Sequence, residues 1–146
     1  MKTTSIFTAL MGITAAVAAG PNDFKRDLQA LKLTKLNAGL YDQHLPSTRI
    51  VNFDLNDPNS SIDTTCSAAW STGMAASYKF NCTNPKYQVN FPSLYDIKDM
   101  KLNVSITGSK AFGLGEVNGD KWNCEKTGAE YPSETCEWDG VYEIPL

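Results

Sequence analysis

Trp122-Asn123-Cys124-Glu125-Lys126-Thr127-Gly128-Ala129-Glu130-Tyr131-Pro132-Ser133-Glu134-Thr135-Cys136-Glu137-Trp138 decides the fold. Side chains alternate faces along a strand, so Trp122 shares a face with Cys124, and Cys136 with Trp138. Antiparallel pairing with Cys124 opposite Cys136 then sets Trp122 opposite Trp138. The link from Glu125 to Thr135 carries Gly128, Pro132 and Ser133, which are turn formers. The stretch reads as a stapled β-hairpin with an aromatic cluster, a way to build a core in a small secreted domain. It carries no chemistry of its own.

The same alternation recurs along the chain. Arg49 to Leu55 is the clearest strand, with Val51, Phe53 and Leu55 facing one way and Asn52 and Asp54 the other. Asn56 to Ser61 holds Asp57-Pro58-Asn59-Ser60 and reads as a turn. Thr64 to Trp70 is a short strand placing Cys66 and Trp70 near the core. Ser77 to Thr83, with Tyr78, Phe80 and Cys82 on one face, forms a hairpin with Tyr87 to Phe91 across Asn84-Pro85-Lys86. Pro92 to Asp99 is a connector with room for one helical turn. Met100 to Thr107 points Leu102, Val104 and Ile106 inward and Asn103, Ser105 and Thr107 outward. Ala111 to Val117 carries Gly113 and Gly115, as a bent or bulged strand does. Asn118-Gly119-Asp120 turns the chain into the Trp122 strand, and Val141 to Ile144 closes the domain.

One segment is ambiguous. Leu28, Leu31 and Leu36 fall on a weak helical stripe, whereas Leu31-Lys32-Leu33-Thr34 alternates. The reading adopted is a strand ending near Asn37, with Tyr41 to Thr48 as a connector. About eight to ten short strands, turns every 8 to 12 residues and no long helix predict an all-β fold, a small antiparallel β-barrel or sandwich.

The N-terminus reads as a secretory signal. Lys2 is the basic region, Ile6 to Ala18 the apolar one, and Ala16-Val17-Ala18 a small-x-small cleavage site. The apolar run is shorter than the roughly 20 residues a membrane span needs. Lys25-Arg26 is a dibasic trimming site. Residues 1–18 are therefore expected to be signal peptide, 19–26 a propeptide, and 27–146 one domain. The formal charge of −3 and the lack of a basic stripe argue against nucleic acid or an anionic membrane as partner.

Four cysteines, Cys66, Cys82, Cys124 and Cys136, allow three connectivities. Local pairing, Cys66–Cys82 and Cys124–Cys136, is expected, each closing a loop of about 15 residues worth roughly 3 kcal/mol. A zinc site fails on spacing, since no C-x-x-C occurs and the one histidine is distant. Asn59-Ser60-Ser61, Asn81-Cys82-Thr83 and Asn103-Val104-Ser105 are sequons for N-glycosylation. Asn81 is the weakest, because its middle residue is a bridging cysteine.

Candidate chemistry is sparse. His44 is the single histidine, two residues after Asp42, with no nucleophile elbow in view. Glu116, Asp120, Glu125, Glu130, Glu134, Glu137 and Glu143 are the carboxylates from which a glycosidase pair would be drawn, but most read as a solvated rim. Asp54, Asp57 and Asp63 lack the ordered spacing of a calcium loop. Trp70, Trp122, Trp138 and Tyr131 are the aromatics a sugar-binding platform would use, although two of the tryptophans flank cysteines with core-like phase. No catalytic, cofactor-binding or metal-binding residue is assigned.

The layout resembles a known family. A signal peptide leads to Val51-Asn52-Phe53-Asp54-Leu55, then to Cys66 and Cys82 bracketing an aromatic segment. Ala111-Phe112-Gly113-Leu114-Gly115 follows, and Cys124 and Cys136 precede a C-terminal strand. From Leu31 to Leu146 this looks like the Alternaria major-allergen family of fungal secreted β-barrel proteins. The resemblance implies a non-enzymatic, disulfide-bonded effector, elicitor or allergen-like protein. Its partners would be a host extracellular protein, of the thaumatin-like defence kind, or a small phenolic ligand. The family pattern can include an extra N-terminal cysteine joining two chains; none is present, so a covalent dimer is not expected. No binding residue transfers. The competing readings are a secreted carbohydrate- or cell-wall-binding module and a secreted hydrolase. Asn56 to Thr64 and Glu125 to Thr135 are the loops expected to carry contacts.

Overall fold

The structure, a computed structural model, describes residues 28–42, 46–71, 78–92, 96–128 and 132–146. The expected signal and propeptide segments, His44, Glu130 and Tyr131 lie outside the described residues.

Ten strands form among them: β1 (Leu31–Tyr41), β2 (Thr48–Asp57), β3 (Ile62–Ser71), β4 (Phe80–Asn81), β5 (Tyr87–Asn90), β6 (Met100–Ile106), β7 (Phe112–Val117), β8 (Trp122–Lys126), β9 (Glu134–Trp138) and β10 (Tyr142–Ile144). They make two antiparallel sheets. The first runs β3-β2-β1-β9-β8, with β10 also on β1; the second runs β4-β5-β6-β7. The first half of β1 pairs β10 and the second half pairs β9, so those two short strands lie end to end along one edge. The sheets do not close into a barrel; the architecture is a sandwich. The described part of the 92–99 connector contains bends, not a helical turn.

The hairpin has the register its alternation dictates. Trp122 pairs Trp138, and Cys124 pairs Cys136. The disulfides are Cys66–Cys82 and Cys124–Cys136. The first ties the edge strand β3 to the residue after β4, and so joins the two sheets. The Thr83 N–H donating to the Thr65 carbonyl at 2.8 Å reinforces that seam. Two such bridges are typical of extracellular proteins.

β1 runs on to Tyr41, beyond the predicted end at Asn37, and its ambiguity has a physical cause. Its pairing with β2 shifts by one residue between Thr34 and Asn37, and Lys35 sits there at φ 52°. This is a β-bulge, which inserts one residue and switches the face on which later side chains lie. Leu31 and Leu33 point inward before it, Leu36 and Ala38 after it, and all four are buried. A three-residue step between Leu33 and Leu36 therefore mimics helical spacing inside a strand.

The glycines of β7 serve a different end from the one expected. The β6–β7 register is unbroken from Met100↔Val117 to Ser105↔Phe112, so no bulge is present. A Cβ on Gly113 would lie 2.3 Å from Ile144 Cγ2, and one on Gly115 2.7 Å from the Tyr142 hydroxyl. These glycines let β10 of the first sheet press onto β7 of the second.

The core lies between the sheets. Val51, Phe53 and Leu55 of β2 meet Tyr87, Val89, Leu102 and Val104, all buried, while Phe80 and Ile106 pack at its margin. Trp70 is stacked on Phe91 with centroids 4.6 Å apart. Tyr78 departs from the expected inward face: it precedes β4 and is 53% exposed. At one end, Ile97 and Lys98 close over the hairpin. The buried Trp122 indole N–H donates to the Ile97 carbonyl at 2.7 Å, and Lys98 pairs with Glu134 at 2.9 Å.

Candidate functional site

The opposite end is built around Asp57. The β2–β3 turn covers only residues 58–61, since both strands run further than the sequence suggested. Asp57 continues the inward phase of Val51, Phe53 and Leu55, so it is 2% exposed beneath that turn. A carboxylate there needs donors, because burying a charge without hydrogen bonds is costly. Four are present. Its Oδ1 accepts from the Asn59 N–H at 2.9 Å and from Asn59 Nδ2 at 3.0 Å. Its Oδ2 accepts from Ser60 Oγ and from the Tyr87 hydroxyl, both at 2.7 Å. Burial pushes the carboxyl pKa up, but donors from Ser60, Tyr87 and Asn59 outweigh it, so Asp57 sits below its ordinary value. Burial, chiefly, raises the Tyr87 pKa, and the acceptor Asp57 adds to that.

Above this network lies an open cavity of about 260 Å³. Five separate segments line it. Leu28 precedes β1, Ser60 belongs to the β2–β3 turn, and Lys86 precedes β5. Ile106 to Ser109 join β6 towards β7, and Leu146 follows β10. Leu28, Ile106, Ala111 and Leu146 supply an apolar floor; Ser60, Lys86, Thr107 and Ser109 supply polar groups at the margin. Gly108 at φ 80° makes the tight turn that opens it, with no side chain to fill the space. Lys86 lies over the Tyr87 ring, 5.7 Å from its centroid, and has no ion-pair partner among the described residues. Asp57 is saturated by Asn59, Ser60 and Tyr87, which leaves Lys86 as the charged side chain in the lining without an ion-pair partner among the described residues. The volume falls just under the roughly 300–1,000 Å³ of ordinary small-molecule pockets, which restricts it to compact ligands.

The residues singled out in the sequence scatter. Glu116 pairs with Lys101 at 3.1 Å on an outer face. Asp120, Glu125, Glu137 and Glu143 are exposed, whereas Glu134 faces inward and is held by Lys98. Asp54 and Asp63 lie on the outer face of β2 and β3, away from Asp57. Asp54 pairs with Lys35 at 2.9 Å, and Asp63 accepts from Asn56 at 2.8 Å. These three aspartates do not converge. Trp70 is 2% and Trp122 6% exposed, and Trp138 packs edge-on against Tyr142 with centroids 4.7 Å apart. No tryptophan platform forms. The second expected contact loop is also shorter than foreseen: Glu125 and Lys126 pair with Thr135 and Glu134 as strand, leaving Thr127 to Ser133 as the link.

The three sequons differ in geometry. Asn59 is exposed, but its Nδ2 is engaged by Asp57 and by the Gln29 carbonyl at 2.9 Å. Asn81 is exposed and its Oδ1 accepts from Gln88 at 3.0 Å. Asn103 is half-buried on β6, with its Oδ1 enclosed and unpartnered.

Sequence reasoning missed the cavity. Its lining residues are spread from Leu28 to Leu146 and share no motif; the faint local signals were Gly108-Ser109 and an aspartate in strand phase at Asp57. No family model, no curated protein and no solved structure matches the chain.

Proposed function

We propose that this chain is a secreted, non-enzymatic binding protein, an effector or allergen-like protein that acts on host molecules outside the fungal cell. The cavity beside Lys86 carries the reading: an apolar floor, a margin of hydroxyls and one unpaired cation suit a compact phenolic molecule, above all one bearing an acid group. The resemblance of the sequence layout to the Alternaria major-allergen family supports the same reading, with a host extracellular protein as the other candidate partner. The carboxylates add support, since Asp54, Glu116 and Glu134 are each paired with a lysine and Asp57 is held by four donors. None of these is left as the free acid or base that hydrolysis needs.

The test uses purified, oxidised protein and an Ala111→Trp variant, whose larger side chain occupies the cavity. Calorimetric titration with a phenolic acid gives saturable binding to the parent, lost in Ala111→Trp. Exposure of host tissue gives a defence response absent with reduced, unfolded protein. Turnover of polysaccharide, RNA or peptide that disappears in a His44→Ala or carboxylate variant overturns the reading in favour of a hydrolase. Retention on chitin or glucan, lost on replacing Tyr131, overturns it in favour of a wall-binding module.

A further inference from the structure

The outer face of the second sheet carries an exposed apolar pair. Phe112 is 60% and Leu114 49% exposed, both on the edge strand β7. Covering this apolar strip would recover burial energy that exposure to water forfeits. The neighbouring strand says what is within reach. Asn103 pairs Leu114 and Ser105 pairs Phe112 in the β6–β7 register. Directly opposed residues share a face, with Cβ atoms about 5 Å apart, and the diagonal neighbour lies at about 7–8 Å. The asparagine and the hydroxyl residue of the sequon Asn103-Val104-Ser105 thus stand beside the two exposed apolar side chains.

The Asn103 amide is turned to suit. Its Oδ1 is buried without a partner, whereas its Nδ2 is not among the enclosed unpartnered atoms and makes no hydrogen bond with the described residues. Nδ2 is the atom to which an N-glycan is joined. Asn59 offers the contrast, with Nδ2 donating to both Gln29 and Asp57, so a sugar there displaces a bond of the turn that shields Asp57.

We propose that Asn103 is an N-glycosylation site whose first N-acetylglucosamine lies across Phe112 and Leu114 and shields them from water. A pyranose ring presents C–H groups on one face, which pack on an aromatic ring, and hydroxyls on the other, which keep the surface wet. The inference rests on the chain entering the secretory pathway, as proposed above. It makes the glycan part of the folded surface.

The experiment expresses the full chain in a glycosylating yeast, once with its own N-terminus and once behind an established secretory leader. Failure of the first to reach the medium counts against the secretion reading alone, because the second still reads the site. Peptide mass spectrometry is expected to find glycan on Asn103. Ser105→Ala, which removes the sequon, and Asn103→Gln are each expected to lower the melting temperature by about 3–6 °C. In a Phe112→Ser background the same Ser105→Ala change should have little effect, because the sugar then has no ring to cover. An unmodified Asn103 in leader-directed protein overturns the proposal. So does a melting difference that persists unchanged with Phe112→Ser.

Discussion

Asp57→Asn should cost about 2 kcal/mol at neutral pH. The carboxylate accepts from Ser60 Oγ and the Tyr87 hydroxyl at 2.7 Å and from two Asn59 donors at 2.9 and 3.0 Å. An asparagine can keep its oxygen towards Asn59. Its NH₂ then faces the two hydroxyls, which must turn and accept. Hydrogen bonds to a charged group are worth about 1.5–3 kcal/mol and neutral ones about 0.5–1.5, so two downgraded bonds lose roughly 1 kcal/mol each. The pH dependence has a definite sign. The Asp57 pKa is lowered in the folded state, so its contribution is fully present above the unfolded carboxylate value, near 3.9, and disappears as pH falls through the folded value. Urea denaturation followed by tryptophan fluorescence, at pH 7 and in steps down to pH 2, measures both. The parent–variant gap should be largest at pH 7 and shrink below the carboxylate range. A gap under about 0.5 kcal/mol at pH 7, or one as large at pH 2, refutes the reasoning.

Phe53→Ala, at a ring 2% exposed between the sheets, should cost about 3–5 kcal/mol in chemical denaturation; a loss under about 1 places the ring outside the core. Gly113→Ala drives a methyl to 2.3 Å from Ile144 and should cost at least about 1–3 kcal/mol through overpacking, measured the same way. Gly108→Ala meets no atom within 4 Å but holds φ at 80°, so about 1–2 kcal/mol of left-handed strain is the whole of its expected cost. Replacing Cys124 and Cys136 together by serine should cost about 3 kcal/mol, and peptide mapping without reduction should find no peptide joining the Cys66–Cys82 pair to the other.

How much of this was legible depended on how local each signal was. The β8–β9 hairpin was, because two cysteines and two tryptophans at equal offsets admit one antiparallel register. The inward phases of Val51 to Leu55 and of Leu102 to Val104 were legible for the same reason. β1 was not, because the bulge at Lys35 breaks the period of two that identifies a strand, and a positive φ at lysine leaves no mark in composition. Gly113 and Gly115 read as a bend or bulge, because β10, the strand that presses on them, is about thirty residues further on in the chain. Tyr78 fitted the alternation of Phe80 and Cys82, yet β4 is only two residues long and pairing ends before it. The cavity could not be read, since its floor gathers Leu28, Ile106 and Leu146 from three strand ends that topology alone unites.

The central claim is that the end cavity beside Lys86 binds a compact phenolic molecule. The most direct test is a two-dimensional amide NMR titration of the uniformly ¹⁵N-labelled, oxidised protein with a small phenolic acid. Saturable shifts confined to Ser60, Lys86, Thr107, Gly108 and Ser109, and weakened in Lys86→Ala, are the predicted result. An absence of saturable shifts at millimolar ligand, or shifts centred on the outer face of β2 and β3 around Asp54 and Asp63, contradicts it.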